Sequence, residues 1–123
     1  MALIYTDISS IELNDLLSKH NNKVCIIDVR TPAEFSAEHI QGAINIPVDI
    51  INFDKIYSIY DEKFAQFNSP IVFHCRSGAR SFNYLANAIE DEAYDESLNI
   101  KVYHLKNGIL EWVGSGFKTI TNA

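Results

Sequence analysis

Six consecutive residues, Cys75-Arg76-Ser77-Gly78-Ala79-Arg80, follow directly on the apolar run Ile71-Val72-Phe73-His74 and bring together a thiol, two guanidinium groups and a glycine. A strand that stops at a thiol and turns at a glycine into a helix directs successive backbone N–H groups at one point, with the helix N-terminus behind them. The sulfur is expected at that point. Amides and guanidinium groups both favour thiolate over thiol, so Cys75 should titrate below the roughly 8.5 of a free cysteine and act as a nucleophile at neutral pH. Covalent transfer requires such a nucleophile, with fixed donors aimed at the departing anion. The N–H groups from Arg76 through Ala79 to Arg80 are expected to hold the sulfur and an incoming oxyanion. Arg76 and Arg80 add charge, Ser77 adds a hydrogen bond, and Gly78 supplies a bend that a side chain would obstruct.

Positioning this loop falls to short apolar runs that alternate with helical patterns along the chain, the signature of an α/β domain with a mainly parallel sheet. Leu3 to Tyr5 is expected as a first strand. Ser9 and Glu12 have capping-box spacing ahead of Ile11, Leu13, Leu16 and Leu17, which predicts a helix of two to three turns. Val24 to Val29 reads as a strand covered on both faces, and Thr31-Pro32-Ala33-Glu34 is a second capping box with proline at the first helical position. Gly42 turns the chain into a short extended run, Ala43 to Ile46, closed by Pro47. From Asp49 to Phe67, apolar residues at three- and four-residue intervals predict one long or two short helices. Beyond the loop, Phe82, Leu85, Ala86 and Ile89 mark the expected buried face of the helix that the loop opens. Ile100 to Leu105 reads as the last core strand and Ile109 to Val113 as part of a C-terminal helix.

At 123 residues and 47% hydrophobic content the chain is long enough for one well-buried core, so a single domain over residues 1–123 is expected. Ten basic against sixteen acidic residues give a net charge of −6, which argues against nucleic-acid or anionic-membrane binding as the main role. No charged leader with an apolar stretch and no membrane-length apolar run is evident, so a cytoplasmic location is expected. The acidic stretch Glu90 to Glu96 reads as a solvated helix end and surface loop, with a docking surface for a basic partner as the alternative.

Two cysteines, Cys25 and Cys75, are too few for a disulfide framework or a four-thiolate metal site. Cys25 reads as a small buried hydrophobe on its strand; the other reading is a resolving thiol for Cys75. His74 should point to the face opposite Cys75 and serve core packing or a structural hydrogen bond. His20, His39 and His104 have no metal-ligand neighbour at close spacing, and no metal or cofactor is expected. Asp28 and Arg30 fall at the carboxyl end of a strand, the edge where open α/β sheets place their sites. Arg30 is expected to bond Glu34 or a loop carbonyl, Asp28 to brace the active loop, and Trp112 to anchor the last helix.

Three motifs resemble one family. Ile27-Asp28-Val29-Arg30, Glu34-Phe35 and His39-Ile40-Gln41-Gly42-Ala43-Ile44-Asn45-Ile46-Pro47 look like the first signature of the rhodanese domain, the Cys75 loop is similar to its active loop, and Leu105-Lys106-Asn107-Gly108-Ile109-Leu110-Glu111-Trp112 resembles its closing signature. Asn107 stands where the pattern has a first glycine, and asparagine tolerates a left-handed backbone. The resemblance implies a five-stranded, mostly parallel sheet flanked by helices on both faces, and a sulfurtransferase working in two halves. A donor such as thiosulfate or a persulfide gives its outer sulfur to Cys75, and a thiol, cyanide or a protein acceptor removes it. Rhodanese-like phosphatases and arsenate reductases carry a loop one residue longer, because a phosphoryl or arsenyl group needs more room than a sulfur atom; here four residues separate Cys75 from Arg80. A non-catalytic rhodanese-like binding module is the remaining alternative.

Overall fold

The computed structural model describes residues 3–122. Five parallel strands, β1 (Thr6–Ile8), β2 (Cys25–Asp28), β3 (Ile44–Asn45), β4 (Ile71–His74) and β5 (Val102–Leu105), form one sheet in the order β1-β5-β4-β2-β3. The central strands β2 and β4 are buried at every position, as the unbroken apolar runs require. Every pairing between these five strands is parallel, with one isolated antiparallel bridge outside them between His39 and Ile120.

Helices cover both faces. Against one face, α3 (Phe53–Lys63) and α4 (Ala79–Asn87) bury Phe53, Ile56, Tyr60 and Leu85 on Cys25, Ile27, Ile71 and Phe73. Against the other, α1 (Ser10–Lys19) and α5 (Gly108–Gly114) bury Leu13, Ile109 and Trp112 on Val24, Ile26, Val72 and Leu105. Both expected capping boxes form. Ser9 Oγ accepts the Glu12 N–H while Glu12 accepts the Ser9 N–H, and Thr31 and Glu34 do the same at the start of α2 (Pro32–Ala37). No helix among the described residues is long and apolar enough to cross a membrane.

Several expectations need correction. The first strand is not Leu3–Tyr5: Leu3 inserts into the core, and Thr6–Ile8 pairs with Tyr103–Leu105. An edge strand is chosen by its partner's register, which an apolar run does not report. The stretch expected to be helical from Asp49 to Phe67 becomes α3 and a 3₁₀ turn over Ala65–Phe67, because Asn52 caps α3 by accepting the Lys55 N–H. On α4 and the 3₁₀ turn Ala88–Glu90 that follows it, only Leu85 of the expected face is buried; Phe82, Ala86 and Ile89 are exposed, while Ser81 and Ala88 turn inward. Asn107 is not left-handed (φ −103°); Gly108 takes the positive φ of +66° instead.

The acidic stretch is more than a solvated end. Asp91 accepts the Phe53 N–H at 2.7 Å, Asp95 accepts the Ser97 N–H, and Tyr94 packs 5.0 Å from Phe53, so the segment closes over the start of α3. Trp112 is buried and donates Nε1–H to the Lys118 carbonyl at 3.0 Å.

Candidate active site

Cys75 is the first residue past β4, and Gly78, with φ +109°, starts α4 three residues later. The turn folds the backbone back on the sulfur. Gly78 N–H donates to Cys75 Sγ at 3.1 Å and the Ser81 hydroxyl lies 3.3 Å from the same atom. Burial pushes the thiol up, but the Ser81 hydroxyl and the amides of Ser81, Gly78 and Ser77 outweigh it and hold Cys75 below the ordinary thiol range. The hydroxyl comes from Ser81 rather than from the expected Ser77, whose side chain is exposed.

Amides converge only if the loop carbonyls face elsewhere, and α5 determines that they do. Ile109 N–H donates to the Cys75 carbonyl at 3.0 Å and Leu110 N–H to the Arg76 carbonyl at 3.1 Å. The fit leaves no room for side chains at either glycine. A Cβ at Gly108 would overlap the carbonyls of Arg76 and Cys75, and one at Gly78 would overlap the Lys106 carbonyl. The closing motif therefore clamps the active loop from behind.

Charge is arranged differently from the expectation. Arg80 binds Glu34 in a two-pronged pair, Nη1–Oε1 at 2.7 Å and Nη2–Oε2 at 3.0 Å, so Glu34 takes Arg80 and not Arg30. That guanidinium is the main cause holding Glu34 down to about 2. Arg76 is exposed at the rim, and Ala79 enters the first turn of α4. Arg30 forks onto Asp28, with Nη2–Oδ2 at 2.7 Å, and also donates to the Glu38 carbonyl at 2.7 Å; both side chains are buried. Asp28 stands beside His74 in register, with Oδ2 3.6 Å from His74 Nε2, which is beyond hydrogen-bond reach. The His74 ring meets the Cys75 carbonyl through Nδ1 at 3.1 Å, and burial drives its pKa down against the pull of Asp28. The Asp28–Arg30 pair thus ties the end of β2 to the Glu38 carbonyl at the end of α2, and Asp28 does not brace the Cys75 loop through a side-chain hydrogen bond among the described residues.

Cys75 is only 1% exposed, so the loop closes over the sulfur as a cradle. Behind Ser81 lies a group that the sequence reading passed over. The hydroxyl oxygen is 2.7 Å from His104 Nε2, and His104 Nδ1 is 2.9 Å from Asp7 Oδ1. Asp7 and His104 are direct register partners on β1 and β5. They stand 97 residues apart, so no local spacing signals them.

Cys25 is fully buried on β2, level with Ile71, and burial pushes its thiol up to about 12. Cys75 is four residues beyond Ile71, about 13 Å further along the sheet direction at roughly 3.3 Å per residue, too far for a disulfide. The resolving-thiol reading of Cys25 fails on that distance. His39 is a structural histidine, bonded through Nδ1 to the Phe35 carbonyl at 2.8 Å and stacked on the Phe35 ring.

The rhodanese-like domain model matches residues 9–115. The chain belongs to the rhodanese-like family. It is 30% identical over 97 residues to a sulfurtransferase of Allochromatium vinosum, covering 79% of this chain and 78% of that protein. It is 33% identical over 101 residues to the probable adenylyltransferase/sulfurtransferase MoeZ of Mycobacterium tuberculosis, which spans 82% of this chain but only 23% of that much longer protein. Among solved structures, a thiosulfate sulfurtransferase from Pseudomonas aeruginosa shares the fold with a TM-score of 0.71 at 18% identity, over 97% of this chain and 21% of that one. The motifs of this rhodanese-like domain that carried the resemblance all lie inside the matched span.

The Arg80–Glu34 pair carries a prediction of its own. Glu34 has a folded-state pKa below its ordinary value, so its contribution is present above about 4.5 and is lost as the pH falls toward about 2. Both side chains are about a third exposed, which limits the pair to about 0.5–1 kcal/mol. Glu34→Gln keeps an acceptor for the Thr31 cap but removes the charge. Denaturant unfolding should show the variant less stable by that amount at neutral pH, with the difference closing as the pH falls from about 4.5 through about 2.

Proposed function

We propose that this rhodanese-like domain is a sulfurtransferase that takes sulfane sulfur from thiosulfate or a persulfide onto Cys75 and passes it to a nucleophilic acceptor. The reading is carried by the cradle around one sulfur: a Gly78 amide at 3.1 Å, a Ser81 hydroxyl at 3.3 Å, and four residues between Cys75 and Arg80. In the first half-reaction the Cys75 thiolate attacks the outer sulfur of thiosulfate. The new S–S bond forms as the donor's S–S bond breaks, and sulfite leaves with the electron pair. The persulfide retains a negative charge on its outer sulfur, which the loop amides stabilise as they stabilise the thiolate. In the second half, cyanide or a thiolate attacks that outer sulfur and Cys75 leaves as thiolate, ready for another cycle.

Arg76 provides the exposed cation that draws anionic donors, while Arg80, tied to Glu34, shapes the loop more than it charges it. Asp28 and Arg30 support the strand ends from below. The close cover over Cys75 favours a donor presenting one narrow terminal sulfur. The relatives' names support sulfur chemistry in general; donor and acceptor are this proposal's own.

A phosphatase reading has one relative in its favour, a Rhodopseudomonas palustris protein described as a possible tyrosine phosphatase, which shares the fold at 20% identity and a TM-score of 0.65. The short loop and tight cradle weigh against it. The test is direct: purified protein with thiosulfate and cyanide should release thiocyanate, and intact-mass analysis after thiosulfate alone should show a reductant-labile gain of one sulfur atom on Cys75. Phosphate release from an aryl phosphate with neither of these would overturn the proposal.

A further inference from the structure

A nucleophile sealed from solvent must give its proton to something inside the protein. Cys75 is 1% exposed and Ser81 is fully buried, so bulk water is a poor acceptor for the thiol proton. His74 is the nearer imidazole in sequence, but its Nδ1 faces the Cys75 carbonyl and its Nε2 faces Asp28. Ser81 is the side chain that meets the sulfur.

The Ser81 hydroxyl has one proton and three neighbours: Cys75 Sγ at 3.3 Å, the Gly78 carbonyl at 3.2 Å and His104 Nε2 at 2.7 Å. The Gly78 carbonyl, which also accepts the Phe82 N–H at 2.9 Å, is a second, longer acceptor for the hydroxyl, and the shortest contact of Ser81 Oγ is the one to the imidazole. Beyond the ring, the Asp7 carboxylate lies 2.9 Å from Nδ1 and only accepts, which assigns a proton to Nδ1 in either charge state. Two arrangements then satisfy the whole chain. In one, the Cys75 thiol donates to Ser81 Oγ, and the hydroxyl donates to the bare Nε2 of a neutral His104. In the other, the hydroxyl donates to a Cys75 thiolate, and Oγ accepts from the Nε2–H of a His104 imidazolium paired with Asp7.

We infer that His104, held by Asp7 and acting through the Ser81 hydroxyl, takes up the thiol proton of Cys75, so that the reactive form is a thiolate–imidazolium pair relayed by a serine. Two protons move, from sulfur to Oγ and from Oγ to Nε2, and the net charge of the site is unchanged. Ser81 touches the reacting atom; His104 and Asp7 are positioning residues that work through it. The groups facing His104 are Asp7 from β1, the Tyr5 ring edge-on at 6.0 Å, Ser81 from α4 with Cys75 beyond it, and its register partner Phe73 on β4, while the next residue, His74, alternates to the other face of the sheet. Asp7 is the carboxylate in this set, and its side chain is 48% exposed, which makes it the safest position to alter.

The relay's catalytic meaning rests on the sulfur-transfer proposal, but its existence can be measured without any donor. The thiolate absorbance of Cys75, taken as the difference from Cys75→Ser so that Cys25 cancels, is followed against pH in the full chain. Asp7→Asn keeps an acceptor for Nδ1–H and removes the charge, so a merely structural role predicts no change. We expect its midpoint to move upward, with a severalfold loss of thiolate near neutral pH; Ser81→Ala should lose on the order of tenfold. In the Ser81→Ala background, Asp7→Asn should add nothing, because its effect passes through the hydroxyl. An unmoved midpoint in Asp7→Asn overturns the relay, as does an equal shift with and without Ser81, which would mean a through-space field. If Ser81→Ala does not fold, His104→Gln takes its place as the background: the relay again predicts no added shift from Asp7→Asn, and an equal shift overturns it. Normal thiocyanate formation with an unmoved midpoint would refute the relay alone, whereas an intact relay without sulfur uptake would refute the transferase reading alone.

Discussion

Cys75→Ser is expected to lower thiocyanate formation by at least about a thousandfold, the scale on which removing an enzyme nucleophile acts, while unfolding stability stays within about 1 kcal/mol of the parent. A serine hydroxyl in the same cradle can accept the Gly78 N–H that now meets sulfur at 3.1 Å, so the loop keeps its closure. It is protonated at neutral pH, however, and cannot form a persulfide. The paired measurement, activity against denaturant midpoint, separates loss of the nucleophile from loss of the fold. Activity near that of the parent would move the chemistry away from the loop.

Gly108→Ala is expected to damage the site from a position that contacts no substrate. Alanine at φ +66° costs about 1–2 kcal/mol in the left-handed region. Its Cβ must also push against the Cys75 and Arg76 carbonyls, weakening two clamping hydrogen bonds from Ile109 and Leu110 that contribute about 0.5–1.5 kcal/mol each. Together these predict a loss of about 2–5 kcal/mol and a Tm lower by about 10 °C or more. Transfer by the protein that remains folded should fall about a hundredfold, because a shift of about 1 Å in the loop misaims every amide. Gly114→Ala is the control: its Cβ meets nothing within 4 Å, and stability and transfer should match or slightly exceed the parent's. Equal effects at the two glycines would remove the clamp from the account.

The clamp and the relay also differ in what each interaction does for Cys75. Backbone amides favour the thiolate by fixed geometry and do not titrate. In the proposed relay the chain through Ser81 and His104 moves a proton instead, so Cys75 is stabilised by one set of groups and supplied with a proton acceptor by another. Arg80, which from its place in the loop looks like the principal source of positive charge, is engaged by Glu34 at 2.7 Å. Its charge is shared before it reaches the sulfur.

Local sequence determined the parts of this protein whose physics is local. Both capping boxes, the buried β2 and β4, the turn at Gly78 and the Gly78 amide aimed at Cys75 Sγ are each set by residues within a few positions, where hydrogen-bond reach and side-chain periodicity operate directly. Tertiary structure decided what depends on which strands lie side by side. The order β1-β5-β4-β2-β3 brings β1 and β5 together and with them Asp7 and His104; Arg80 reaches across 46 residues to Glu34; and α5 closes on the loop from the far end of the chain. Such pairings follow from register and packing between distant segments, and no spacing along the chain encodes them. The sulfur's environment is therefore half local and half assembled: its amides can be read from one loop, and its proton acceptor only from the folded sheet.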